Sequence, residues 1–250
     1  DIRPSELAFF SPEIAAPPKN VSFDPRTGRL AGTALQGARA SDLNDLVSRF
    51  EGIATSFVKH LFPQYDGRIE IGRTSFRPVE IEGRASSWRK DDTRLHIDSF
   101  PATPVGDRRI LRIFCNVNPQ GRPRIWRVGG EFEQIAQRFS GRWRMPVPCS
   151  ATFLRLLRIT KSTRSRYDAL MLQLHDLMKA DTEYQKDTVQ TRVEFPAGST
   201  WIAFTDQVSH AAMAGQYQFE QTLLVPVGAM LDEQRSPVRI LEGIPGRKLV

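Results

Sequence analysis

The residues of this sequence best suited to chemistry are His96 and Asp98, two positions apart in Thr93-Arg94-Leu95-His96-Ile97-Asp98-Ser99-Phe100. On an extended chain, residues i and i+2 point to the same side, so this imidazole and carboxylate can reach one metal ion from the end of a strand. A third ligand has to come from elsewhere, and the chain holds only four histidines. His210 is the candidate. It follows Val193-Glu194-Phe195-Pro196-Ala197-Gly198-Ser199-Thr200-Trp201-Ile202-Ala203-Phe204, which reads as strand, Pro-Ala-Gly turn, strand and short loop. Two histidines and one carboxylate on one face of an octahedron leave the opposite positions open, as non-haem Fe(II) needs to bind an oxo-acid and dioxygen. His96, Asp98 and His210 are thus the expected metal ligands and catalytic centre, and the expected chemistry is oxidative.

Those ligands need rigid elements behind them. Residues 1–40 are rich in Pro, Gly and Ala without a sustained period and read as an irregular arm. Ser41-Asp42 then opens a helix over 41–62, with Leu43, Leu46, Val47, Phe50, Ile53, Ala54, Phe57, Val58 and Leu61 at helical spacing and Pro63 as its stop. This helix is expected to brace a sheet, with His60 on its surface. Short extended runs follow at 68–71, 76–81 and 86–95, and a long strand at 108–117. Alternation in that strand puts Ile110, Arg112, Phe114 and Asn116 on one face and Leu111, Ile113, Cys115 and Val117 on the other. Residues 123–128 read as its hairpin partner. Helical insertions are expected near 131–139 and 166–179, the second with His175 beside its apolar stripe as a structural residue. The last strands fall at 189–195, 200–204, 208–213 and 218–227, and a basic tail over 228–250 folds back over the core. A mainly β core spanning 69–227 is the outcome, in one domain.

The chain has 250 residues, 40% of them hydrophobic, and a net charge of +7 with pI ≈ 9.8. A basic balance of that size points to an anionic partner. Between Gln134 and Tyr167 stand Arg138, Arg142, Arg144, Arg155, Arg158, Lys161, Arg164 and Arg166 with no acidic residue, interleaved with Trp143, Phe153, Leu154 and Ile159. Such a mixture suits an anionic membrane surface, phosphates or nucleic acid. Cys115 and Cys149 are too few for a disulfide framework, which suggests a reducing compartment. No apolar run is long enough to span a bilayer.

The triad with its strand and helix context resembles the iron- and 2-oxoglutarate-dependent dioxygenases built on a double-stranded β-helix, the jelly-roll or cupin-like fold. More narrowly, Ser87-Trp88-Arg89-Lys90-Asp91-Asp92-Thr93-Arg94-Leu95-His96-Ile97-Asp98 and Arg109-Ile110-Leu111-Arg112-Ile113-Phe114-Cys115-Asn116-Val117-Asn118-Pro119 are similar to the bacterial Kdo 3-hydroxylases. Kdo is 3-deoxy-D-manno-oct-2-ulosonic acid, the inner-core sugar attached to lipid A. The resemblance implies Fe(II) as cofactor, 2-oxoglutarate and dioxygen as co-substrates, succinate and carbon dioxide as products, and hydroxylation of Kdo at C3. It also implies a cytoplasmic enzyme lying on the inner face of the bacterial inner membrane, with Kdo-lipid A or the lipopolysaccharide inner core as partner.

The far carboxylate of 2-oxoglutarate needs a buried cation with a matching fork. Many relatives take it from the strand after the distal histidine, yet residues 211–227 hold no Arg or Lys. Another lineage uses the long strand after His-x-Asp, which makes Arg112 the first choice and Arg127 and Arg124 its rivals. Asn116 shares the face of Arg112, and Thr222 or Gln221 are neutral helpers. Trp88, Arg89, Lys90 and Arg94, with Arg84, are the expected substrate contacts. Two competing readings remain: an oxygenase for another anionic substrate such as an alkylated nucleic acid base, and a non-catalytic β-sandwich module that binds anionic lipid.

Overall fold

The computed structural model describes residues 2–16, 20–144, 146, 155–244, 246 and 248–250. Part of the expected arm (Pro17, Pro18), Cys149 and the Phe153-Leu154 pair of the basic stretch lie outside the described residues.

Nine strands form two antiparallel sheets among the described residues. The larger sheet runs β2 (Arg29–Ala31), β1 (Val21–Asp24), β3 (Glu70–Arg77), β9 (Gln218–Pro226), β4 (Arg108–Asn116), β7 (Thr200–Phe204). The smaller runs β6 (Gln190–Phe195), β5 (Arg124–Gly129), β8 (His210–Ala214). From β4 onward the chain crosses between them, β4 in one, β5 and β6 in the other, then β7, β8 and β9 alternating. That alternation is the double-stranded β-helix expected from the sequence.

The larger sheet is covered on its outer face by α1 (Gly37–Leu61). Leu43, Leu46 and Val47 pack on Phe76 and Phe219, while Ala54 and Val58 pack on Leu111, Ile113, Leu223 and Val225. Burial of each leucine or valine contributes roughly 1.5–3 kcal/mol. The helix starts at Gly37 rather than Ser41, because Ala38-Arg39-Ala40 are strong helix formers that extend it backward. Its buried stripe is narrower than the periodicity suggested: Ile53, Phe57 and Leu61 lie round the side of the helix and stay exposed.

The expected strands differ in three places. The runs at 68–71 and 76–81 are joined in one strand, β3, which stops at Arg77 and has a register shift between Ile71 and Thr74. A Cβ on Gly72 there would meet Thr222 O at 2.9 Å, so the bulge needs a glycine against β9. The run at 86–95 is no strand. A 3₁₀ turn occupies Trp88–Lys90, and the Asp91 carboxylate takes the Thr93 N–H and hydroxyl at 2.9 and 2.6 Å, closing a turn instead of leaving the backbone to a ladder. Finally β5 does not pair with β4; it lies in the other sheet between β6 and β8. Asn116 fastens the crossover, its amide donating to Arg122 O and Phe195 O and its carbonyl oxygen accepting from Asn118 N–H.

Helices α2 (Phe132–Phe139) and α3 (Arg166–Ala180) are the expected insertions, and the short α4 (Thr182–Asp187) follows α3. With α5 (Pro237–Gly243) from the tail they bury Phe139, Leu170, Leu174, Met178 and Leu241 against Leu95 and Ile97, the residues that flank His96. No helix among the described residues is long and apolar enough to cross a membrane.

Candidate metal centre and active site

His96 and His210 face each other across an isolated antiparallel bridge, with His96 N–H on His210 O at 3.0 Å and His210 N–H on His96 O at 2.9 Å. His210 opens β8, while His96 sits in irregular chain. Asp98 is held two residues further by its N–H on Thr205 O at 2.7 Å. The turn carrying Thr205 is clamped from β4: Arg109 and Asp206 form a fully buried ion pair at 2.6 Å, and Arg109 also reaches Gln207 Oε1 at 2.7 Å. One ligand atom from each of His96, Asp98 and His210 comes within 4.8 Å of the others.

The hydrogen bonds select the tautomers. His96 Nδ1 lies 2.7 Å from Arg94 O and His210 Nδ1 lies 2.8 Å from Val208 O. A carbonyl oxygen only accepts, so each Nδ1 carries the proton and each Nε2 keeps its lone pair for a metal. Burial, then His210, pushes the His96 pKa well below the usual imidazole range, so the ring stays neutral. For Asp98 burial works the other way, yet the Arg112 guanidinium beside it leads the effects that outweigh burial and hold the carboxyl well below the ordinary range. Asp98 Oδ2 is buried and faces the Arg112 guanidinium, Nη1 at 3.3 Å. Two imidazoles with protonated Nδ1 beside an ionised carboxylate whose Oδ1 lies 3.9 Å from His96 Nε2 fit a divalent cation.

Around the triad is a cavity of about 60 Å³ lined by Phe114, Trp126, Ala212 and three arginines, Arg77, Arg112 and Arg124. Trp126 lies against the His210 ring, centroids 5.0 Å apart. The arginines differ in what they already hold. Arg77 binds Glu220 at 2.8 Å. Arg112 Nη1 binds Glu220 at 2.8 Å and Asp98 Oδ2 at 3.3 Å. Arg124 is 3% exposed, donates to Gly215 O at 2.6 Å, leaves its Nε without a partner, and has no carboxylate in ion-pair range among the described residues. Burial and then repulsion from Arg77 push its pKa down, the state of a cation short of an anion.

The other expected site residues lie elsewhere. Arg127 points away from the cavity and donates to Met213 Sδ and Thr93 O. Asn116 is occupied by the crossover, and Thr222 sits beside Arg112 on β9 but lines the adjoining cleft rather than the metal cavity. Trp88 and Arg89 stack on each other, 4.1 Å from guanidinium carbon to ring centroid, in a surface groove with Arg142, Arg144 and Arg164. Arg94 is bonded to Lys179 O, Arg84 to Asp92, and Lys90 is exposed. None of Trp88, Arg89, Lys90 and Arg94 lines the metal cavity. Sequence reasoning missed Arg77 and Glu220, although alternation along β9 puts Glu220 in phase with Thr222 and Leu224. It also set His175 aside, whose ring stands edge-on to His96 at 5.5 Å.

Comparison with known proteins agrees with this geometry. The family model described as 3-deoxy-D-manno-oct-2-ulosonic acid (Kdo) hydroxylase matches residues 1–248. Among solved structures, the Kdo hydroxylase KdoO, a non-haem Fe(II) α-ketoglutarate-dependent dioxygenase, superposes in its cobalt(II) complex with a TM-score of 0.97 at 46% identity. Its complex with α-ketoglutarate and Fe(III) gives 0.96 at 46%, and that with succinate and Fe(III) 0.96 at 45%. Each covers 100% of this chain and 84% of the KdoO chain. No curated protein matches at a significant level. A match along nearly the whole sequence, on a fold that delivers two imidazoles and an aspartate to one point, makes this chain a member of the Kdo hydroxylase family, the Fe(II)- and 2-oxoglutarate-dependent dioxygenases that hydroxylate this sugar.

Proposed function

We propose that this chain hydroxylates Kdo at C3 while the sugar is carried on lipid A, with His96, Asp98 and His210 as the iron ligands. The observation that carries the reading is the pair of free Nε2 lone pairs beside Asp98, with the uncompensated Arg124 in the same cavity. Bound Fe(II) supplies the activation of dioxygen, with 2-oxoglutarate consumed to succinate and carbon dioxide.

The polypeptide binds, orients and excludes water. Arg124 takes the far carboxylate of 2-oxoglutarate, in preference to Arg112, because Arg112 is already committed to Glu220 and Asp98. Arg112 instead restrains the outer oxygen of Asp98, so the other oxygen is left for the metal. Trp126 and Phe114 wall the cavity with apolar surface and keep bulk water from the reacting atoms. The groove at Trp88, with Arg89, Arg142, Arg144 and Arg164, faces anionic headgroups, consistent with peripheral attachment at the inner face of the bacterial inner membrane.

The test is incubation of the enzyme with Fe(II), 2-oxoglutarate and Kdo-lipid A. The lipid is expected to gain one oxygen atom, assigned to C3 of the sugar by NMR, and His96→Ala is expected to abolish both this gain and succinate release. An unchanged lipid mass during active 2-oxoglutarate turnover would exclude the Kdo-lipid A assignment and leave the oxygenase chemistry standing.

A further inference from the structure

The metal cavity, about 60 Å³, is too small for an eight-carbon sugar acid, so the substrate has to approach from a larger space. One adjoins it. A cleft of about 650 Å³ shares Arg77, Arg112 and Glu220 with the metal cavity, and its wall begins at Phe100, two residues beyond the ligand Asp98. Phe100 lies under the Arg112 guanidinium at 5.4 Å and gives the cleft an apolar surface where it meets the metal side. The Trp88 groove shares no lining residue with the metal cavity.

Charge also suits this cleft to an anion. Arg26, Arg73, Arg77, Arg108, Arg112 and Lys161 line it against three carboxylates, Asp24, Glu70 and Glu220. Every carboxylate is already engaged. Asp24 is shared by Arg26 and Arg73 at 3.7 and 3.8 Å, Glu220 by Arg77 and Arg112, and Glu70 is paired with Arg108. Lys161 has no ion-pair partner among the described residues and stands exposed at the rim, its backbone tied to Ala102 O at 2.9 Å. The excess of positive charge therefore lies on the solvent side of Arg112, along the approach to the metal.

We infer that this cleft, bounded by Phe100, Arg73 and Lys161, is the substrate channel, and that Lys161 and Arg73 receive the anionic groups of the saccharide. The inference rests on the hydroxylase reading above. Both the carboxylate of the sugar acid and the phosphates of its lipid carrier have the required chemistry.

The experiment measures steady-state hydroxylation of Kdo-lipid A by the iron-loaded enzyme, with and without the lipid phosphates, for wild type, Lys161→Glu, Arg73→Glu, Lys161→Arg and Arg89→Glu. Each of the first two reversals is expected to raise the substrate KM about tenfold with a much smaller change in kcat, equivalent to ~1.4 kcal/mol. Lys161→Arg is expected to keep the wild-type KM, and added salt to raise the wild-type KM more than that of Lys161→Glu. An effect on both lipids identifies the sugar carboxylate as the bound group; an effect confined to the phosphorylated lipid identifies phosphate. Unchanged KM in Lys161→Glu and Arg73→Glu, with a raised KM in Arg89→Glu, would overturn the channel in favour of the Trp88 groove. Failure of the wild type to oxidise either lipid would instead reject the hydroxylase reading on which the channel depends.

Discussion

Arg124→Met is the substitution that most sharply separates ligand binding from stability. The guanidinium is 3% exposed, holds one backbone carbonyl and leaves Nε unsatisfied. A 2-oxoglutarate carboxylate arriving there breaks no existing ion pair. Removing one partner of a buried, hydrogen-bonded charge pair costs about 2–5 kcal/mol. At a factor of ten per 1.4 kcal/mol, 2-oxoglutarate affinity is expected to fall between roughly 30-fold and several thousandfold. Thermal unfolding of the Co(II)-loaded protein reads this directly. Ligand at a hundred times Kd stabilises by about 2.7 kcal/mol, and the variant is expected to lose about two-thirds or more of that increment at the same concentration. Without ligand the variant is expected to be as stable as wild type or more so, because an uncompensated buried cation is replaced by an apolar chain. Unchanged 2-oxoglutarate stabilisation in Arg124→Met, with its loss in Arg127→Met, would refute the assignment.

Two further outcomes follow from the same geometry. Arg112→Met frees the outer oxygen of Asp98 and is expected to weaken Co(II) binding 10- to 100-fold, measured by competition with a chelator. In the metal-free protein, the lowered pKa of His96 means that the unfolded chain binds a proton that the folded chain refuses. Stability is then fully present above pH ~6.5 and is lost as pH falls below it, with a slope approaching about 1.4 kcal/mol per pH unit. Urea unfolding at pH 7.5 and 5.5 is expected to give a shallower dependence in His96→Gln, and an identical slope in both proteins would count against a buried neutral ring.

Much of this was legible in the chain, and the exceptions have physical causes. Period-two alternation in β4 correctly separated Arg112 and Phe114, which face the metal cavity, from Leu111 and Ile113, which face α1. The same rule applied to β5 would have set Arg124 with Trp126 and Val128 on the more apolar face and Arg127 on the other. What alternation does not carry is pairing between distant strands. Nothing local announces that Glu220 comes beside Arg112, or that β5 leaves its sequence neighbour for the opposite sheet. Likewise the turn at Asp91–Thr93 arises from side-chain bonds to the backbone, which compete with the extended reading of that run. The groove at Trp88 reflects a related limit: closeness in sequence to His96 is not closeness to the metal, because the turn swings Trp88 and Arg89 toward α3.

The mutual backbone hydrogen bonds between His96 and His210 join positions that lie far apart along the polypeptide. With these residues as the proposed ligands, an unfolded or half-assembled chain offers only scattered imidazoles, and the ion is captured once both sheets have closed. Iron occupancy becomes a gauge of assembly. A remote lesion that loosens the Arg109–Asp206 clamp or the α1 brace would surface first as a cell-made enzyme short of iron, before any loss of solubility betrayed it.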